Sequence, residues 1–507
     1  MFNTVRNNKT MKCNSHLIIL IVGIVLFAGC EDFLSQEPQS VVASEFYYKS
    51  EDEVKATLNA AYNGLQSLYG TDTAFWAMTE MRSDNTTFSY RVADRGALQR
   101  EQIDHFSVTA DNIYIRGVWQ SIFNTLQQVN TVLEKSDLVD SDEVREEIVG
   151  QAKFIRALLN FNLVRLWGEA PLVLNAIKSE QDARTIKQTS VSEIYDKIIE
   201  DANDAASKLP ASWGGQAGRV TKGAANTLLG EVYLTQKQYG VAAEQFKKVI
   251  DSGEYSLFPD YGGLYDPSNK NNEESVFEIQ FNASVEGEQS AYIYTFAPVQ
   301  SGSETIGSFS PSGGDGRNIP TRDMIDTYEQ GDKRKDASIT WYTNENQVKF
   351  DEAQGDSIAW VKKFAAKPEK QNRQNINFYV YRYAQVLLWY AEALNEEGKT
   401  GEAYQYINKV RNRAGLSNIQ SGLSQSQFRK EIYHEERVEN AFENHRWFQL
   451  VRTDRAIQVM TENGNQQNKY QKWLPSSSYN IQEYKLLFPM PTHNVDINDN
   501  LEQNPGW

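Results

Sequence analysis

The sequence predicts a mainly α protein, a scaffold of helical hairpins that carries a loop-rich insertion. Three observations lead there. Apolar residues recur at helical spacing over long segments in both halves of the chain. Two segments, 222–252 and 384–412, place small and large side chains at matching offsets. Between them, residues 253–376 lose that period and turn to Gly, Ser, Asn, Asp and Pro.

The N-terminus reads as an export signal. An apolar run, Leu17 to Phe27, follows Arg6, Lys9 and Lys12 and ends in Leu26-Phe27-Ala28-Gly29-Cys30. This resembles a bacterial lipobox, in which the chain is cut before the cysteine and its sulfur is lipidated. The run is short of the roughly 20 apolar residues a membrane span needs, and its basic lead-in is that of a secretion signal. Residues 1–29 are therefore expected to be removed, with Cys30 lipidated and residues 30–45 forming a tether. Residues 46–507 form the folded domain, with the insertion at about 253–376. Met11-Lys12 offers a second start that gives a more compact signal.

Composition narrows the function. The chain carries a net charge of −16, and losing residues 1–29, with three basic and no acidic side chains, takes it to −19. A nucleic-acid partner wants a basic footprint, so none is expected. Docking on anionic lipid through protein charge is disfavoured for the same reason. Of the two cysteines, Cys13 leaves with the signal and Cys30 takes the lipid, so stability must come from a core rather than disulfides.

Along the chain, Ser50 and Glu53 form an S-x-x-E capping box. Val54, Leu58, Ala61, Leu65 and Leu68 follow at helical spacing to Gly70. Residues 71–112 keep no period, and so long a connection in a compact protein is usually functional. Ile115 to Leu133 and Ile148 to Leu163 mark two helices, and Val191 to about Leu209 a third, closed by Pro210. In 222–252, Leu229, Gly230, Tyr233, Ala242 and Phe246 fall where a tetratricopeptide repeat of about 34 residues places such residues. Leu387, Ala391, Leu394, Ala403 and Ile407 echo them, although a generic hairpin has the same look. Val276-Phe277-Glu278-Ile279 is strand-like within the insertion. One helix is expected over 425–450, through Phe428, Ile432, Phe442, Trp447 and Leu450, before an irregular tail.

Little supports catalysis, and no cofactor or metal is expected. His105, His434, His445 and His493 are scattered and lack H-E-x-x-H spacing. There is no G-x-S-x-G elbow, G-x-G-x-x-G or Walker loop. Carboxylate pairs abound in so acidic a chain, so a glycosidase remains open on sequence alone. Asp496-Ile497-Asn498-Asp499-Asn500 starts like an EF-hand loop but lacks the sixth-position Gly and the later Glu, and reads as a solvated turn.

Several segments resemble the SusD/RagB family of Bacteroidetes outer-membrane lipoproteins. They are Arg156-Ala157-Leu158 through Gly168 with Pro171-Leu172-Val173; Arg382-Tyr383-Ala384 through Asn395; Asn408 through Gly415; Glu435-Glu436-Arg437 through Arg452; and Pro489 to Trp507. Pro320-Thr321 and Gly331-Asp332-Lys333-Arg334 also fit. The resemblance implies a helical fold with tetratricopeptide-like pairs and a variable loop face. It implies a lipoprotein, lipid-anchored in the outer membrane and facing outward, that binds a nutrient and partners a SusC-like TonB-dependent transporter. Glu31-Asp32 fits the acidic residues that follow the cysteine in surface-displayed lipoproteins of these bacteria. The ligand is expected to be an oligosaccharide, with an oligopeptide as the alternative. A purely structural adaptor is disfavoured by the lipobox and the insertion.

The shared motifs read as scaffold. Glu443 and Arg446 have the i,i+3 spacing of a helical ion pair, or Glu435, Glu436, Arg437 and Arg446 tie helices together. Ligand contacts are expected in two loop regions, because a sugar offers flat C–H faces edged by hydroxyls and so wants aromatic planes with planar polar groups beside them. In 71–112 these are Trp76 and Tyr90 with Arg82, Asp84 and Asn85. In 290–345 they are Tyr292, Tyr294, Phe309 and Trp341 with Arg317.

Overall fold

A computed structural model describes residues 48–88, 98–299, 301–310, 313–343 and 357–507. Residues Ser50–Trp507 form one compact unit, built mainly of helices. The long helices pack in sequence order. They are α1 (Glu51–Tyr69), α2 (Ile113–Glu134), α3 (Asp142–Trp167), α4 (Val191–Lys208), α5 (Lys222–Thr235), α6 (Tyr239–Asp251), α7 (Tyr383–Glu396) and α8 (Thr400–Arg413). Each lies against the next, and α9 (Gln425–Glu439) closes on α7. Short α10 (Arg446–Arg452) and polar α11 (Ala456–Tyr470) follow.

Local chemistry explains the starts and the close crossings. The Ser50 amide donates to Glu53 Oε2 at 2.9 Å, which satisfies one orphan donor of α1. Val54, Leu58, Ala61, Leu65 and Leu68 form its buried stripe. In the α5–α6 hairpin a Cβ on Gly230 would lie 2.3 Å from Phe246 Cε1, so only glycine lets the Phe246 ring sit there. Ala242 and Ala403 are fully buried.

The insertion is threaded into this stack. Strand β1 (Ser275–Ile279) lies within it, as do β2 (Ile339–Thr343) and β3 (Ser357–Val361), which pair antiparallel in register Trp341↔Ala359. Strand β4 (Phe378–Arg382) pairs antiparallel with β1 and leads directly into α7. Besides the main core there is a small separate one. Ile293, Ala297, Ile306 and Trp360 form it, with Tyr294, Tyr342 and Ala365 packed against it.

Beneath the insertion lies a buried ionic hub. Arg382 donates to Glu274 (2.6 Å), Glu439 (2.8 Å) and Glu443 (2.9 Å). Arg334 reaches Asp332, Glu435 and Glu439. Arg413 meets Glu274 and Glu439, Arg411 meets Glu435, and Lys363 meets Glu443 at 2.5 Å. All are buried. Matched charges of this kind cost desolvation, so their value lies in fixing one arrangement rather than in adding net stability.

Two expectations are corrected here. The single helix over 425–450 is broken: Phe442 (φ 69°) and Asn444 (φ 65°) take left-handed backbone, and their amides donate to the buried Glu80 carboxylate at 2.9 and 3.0 Å. That turn sends Glu443 to Arg382 and Lys363, while Arg446 pairs with Asp84, so the i,i+3 pair is not made. The described parts of the connection, 71–88 and 98–112, are largely buried, with a π-helical turn at Ala77–Met81 and a short helix, Leu98–Asp104. The tail is locked as well. Trp167 Nε1 donates to the Pro489 carbonyl at 3.0 Å, and Asn504 Nδ2 to the carbonyls of Trp167 and Phe488. Among the described residues no helix is long and apolar enough to cross a membrane.

Candidate ligand-binding face

The two loop regions singled out in the sequence meet in space. Thr86–Thr87 pairs antiparallel with Ile319–Pro320. Thr321 Oγ1 donates to the Asp84 carbonyl at 2.7 Å, and Thr86 Oγ1 to Asn318 Oδ1 at 2.6 Å. Trp76 packs edge-on against Phe296 at 5.3 Å.

Most of the expected contact residues are consumed in making that junction. Trp76 is only 3% exposed, so it is core rather than an open platform. Arg82 is fully buried between Phe106 and Phe488, its guanidinium donating to the carbonyls of Ile103 and Lys485. Burial among these rings pulls it down to about 9. Asp84 receives two bonds from Arg446, at 2.7 and 2.8 Å, and lies 3.0 Å from Arg437. Burial alone would raise its carboxyl, but the two guanidiniums hold it well below the usual carboxylate range. Asn85 bridges Glu80 and Arg437. Tyr292 donates to the Tyr69 carbonyl and lies on Phe364, 4.6 Å between centroids. Arg317 is 5% exposed, over Phe88. Trp76, Arg82, Asp84, Asn85, Tyr292 and Arg317 are therefore structural in this fold, because each polar tip or ring already has a buried partner. Tyr90, like Cys30, lies outside the described residues.

What remains on the surface is aromatic. Trp341 is 46% exposed and Phe309 39%. Tyr294 is half-buried, its hydroxyl accepting from the Asn372 amide at 2.9 Å. Tyr342, which the sequence pattern did not single out, is half-buried beside Trp341. Along β2 half-buried Thr340 and Tyr342 alternate with exposed Trp341 and Thr343, the period of two that a strand imposes. Tyr294 and Tyr342 share a foundation, since both pack on the small core that includes Ile306, three positions before Phe309. The arrangement offers fixed aromatic surface.

Elsewhere, Glu80 and Asp104 are pushed up to about 7 by burial, yet both carboxylates are occupied by hydrogen bonds. Burial pulls His105 down to about 3 and His445 to about 4. Among the described residues no group of three or more His, Cys, Asp or Glu is placed to hold a metal ion.

Two family models tile the sequence. One, described as "SusD family", matches residues 273–507, and another, "Starch-binding associating with outer membrane", matches 32–234. The chain belongs to the SusD family. A SusD-like protein of Formosa agariphila is 27% identical, over 97% of this chain and 99% of its own length. One from Bacteroides ovatus is 24% identical over 86% and 82%. Among solved SusD folds, a superfamily protein from Parabacteroides distasonis superposes with a TM-score of 0.75 at 26% identity, covering 90% of this chain and 99% of its own. A laminarin-binding SusD-like protein also superposes at 0.75, with 24% identity over 91% and 100%. The helical-hairpin fold is thus that of the SusD family, and the buried Glu435, Glu436, Arg437 and Arg446 are parts of its scaffold. They reach Arg334 and Arg411, Arg452, Asp84 and Asp323, and Asp84 respectively.

Proposed function

We propose that this chain is an outer-membrane lipoprotein, anchored through Cys30 and facing outward, that binds a nutrient oligosaccharide and passes it to a SusC-like TonB-dependent transporter. The observation that carries the glycan reading is the set of exposed or half-exposed rings, Trp341, Phe309, Tyr294 and Tyr342, two of which, Tyr294 and Tyr342, are held on one small apolar core. Aromatic planes contribute large contact area at low entropic cost. Kinship with proteins described as laminarin-binding and starch-binding supports a neutral glucan as the first ligand to try. Binding alone moves nothing across a membrane, which is why a transporter is part of the reading. Catalysis is not, because the strongly raised carboxyls Glu80 and Asp104 are enclosed and already bonded.

Calorimetry against laminarin and soluble starch tests it. Trp341→Ala and Phe309→Ala should each weaken binding by about 2 kcal/mol, the range of interface hot spots, with the melting temperature held, since both rings stand at the surface. Wild-type affinity in the double variant would move the site off this face. Binding of oligopeptides instead of glycans would change the ligand class. For the anchor, Cys30→Ala should abolish incorporation of labelled fatty acid and outer-membrane fractionation.

A further inference from the structure

A second cleft lies on the helical-hairpin side of the molecule. Its volume is about 250 Å³, and its walls are the α4–α5 connection, the segment after α6, and β1 with the residues before it. Besides the buried Phe277, two aromatic rings line it. Trp213 is half-buried and fixed by its Nε1 donating to the Val220 carbonyl at 2.6 Å. Tyr255 is half-buried too, its hydroxyl 2.8 Å from Thr221 Oγ1. The connection is pressed onto the strand: Gly218 has φ 89°, and a Cβ there would lie 2.4 Å from Gln280 Cγ. The rings are therefore set in place by the fold.

Asn271, Asn272 and Glu278 in the cleft wall are bonded within the fold, but other polar groups around the rings are uncommitted. Gln216, Glu254 and Glu273 are exposed, line the cleft and make no side-chain hydrogen bond among the described residues. Arg219 spends one nitrogen on Gln151 at 3.1 Å, with its guanidinium carbon 5.8 Å from the Trp213 ring centroid. Held rings beside a free planar amide, free carboxylates and a guanidinium only partly spent on Gln151 make a preorganised site for a polyol ring, with apolar area for its C–H face and acceptors and donors for its hydroxyls. Two carboxylates against one guanidinium make the rim acidic, which repels uronates and sulfated sugars.

We propose that this cleft is an accessory subsite for a neutral oligosaccharide, separate from the Trp341 face. It holds a short stretch of chain, as its volume falls below the roughly 300–1,000 Å³ of drug-sized sites. The test is fluorine NMR on protein labelled with fluorotryptophan. Trp213→Phe assigns the Trp213 line; a spin label on Ala217→Cys assigns it independently by broadening, should that variant fail to fold. Maltohexaose, laminarihexaose and xylohexaose are titrated to about 10 mM, well above a dissociation constant of roughly 1 mM. The Trp213 line should move saturably with at least one of them, in wild type and in Trp341→Ala alike. Gln216→Ala and Glu273→Ala, both at exposed unpaired positions, should each weaken that response roughly two- to tenfold, the worth of one hydrogen bond. A line that stays still with all three sugars overturns the proposal. So does a shift that disappears in Trp341→Ala, or one that the Gln216 and Glu273 variants leave unchanged.

Discussion

Asp84 shows how a single side chain holds distant parts of the protein. It ties the early connection to α9 and α10 through Arg437 and Arg446, and all three are buried to about a tenth exposure or less. Asp84→Ala strands two buried guanidiniums and should cost about 3–5 kcal/mol in denaturant unfolding; a loss under 1 kcal/mol would mean water repairs the gap. Acid should act on the same kind of tie. Burial opposes ionisation of Glu443, but Arg382 and Lys363 hold its carboxyl at about 2, below the ordinary 4.5. A depressed acid contributes stability that is complete above its unfolded value and is lost as pH falls toward its folded one. Buried neutral His105 and His445, at about 3 and 4 against 6.5, add losses of the same sign. Between pH 7 and 4.5 the raised Glu80 and Asp104, which bind protons more readily in the fold, offset the histidines, so the melting temperature should fall mainly below pH 4.5, and Glu443→Gln should flatten that lower limb. The residue scale is also where the sequence was least legible. Arg82 and Asp84 sit among aromatics and amides, as sugar-contacting residues do. Their partners, Lys485 and Arg446, lie 403 and 362 positions away, so nothing local marks them as buried.

Elements were read more reliably, because their signals are local. The capping box, the apolar stripes and the offsets of Gly230, Ala242 and Phe246 locate α1, α5 and α6 without any long-range partner. Ala242 is fully buried in that hairpin, so Ala242→Trp should overpack it and cost about 1–3 kcal/mol or more, seen as a lower melting temperature with unchanged ligand affinity at the Trp341 face. An unshifted melt would place position 242 at the surface. The failures at this scale share one cause. The stop at Asn440–His445 is imposed by Glu80, which collects the Phe442 and Asn444 amides. The π-helical turn that carries Glu80 has no periodic signature either. In both places a tertiary hydrogen bond overrides the local period, and α11 escapes notice because its sequence is mostly polar.

For the whole molecule, the reading as a transporter partner predicts recovery of a large TonB-dependent barrel together with this protein from gently solubilised outer membrane; a clean monomer from cells that express such a transporter would count against it. The architecture bears on how such a protein changes over generations. The half-buried Tyr294 and Tyr342 stand on Ile293, Ala297, Ile306 and Trp360, a cluster of their own, while the helical stack is filled by a different and far larger set. Substitutions at the exposed positions Phe309 and Trp341 themselves leave both clusters in place. Drift in ligand preference there leaves the stability margin of the stack untouched, and lineages meeting a new polysaccharide can rework this tip by small steps or by wholesale exchange of the segment. A graft of the corresponding segment from a relative of different diet is accordingly the shortest route to a new specificity on this frame.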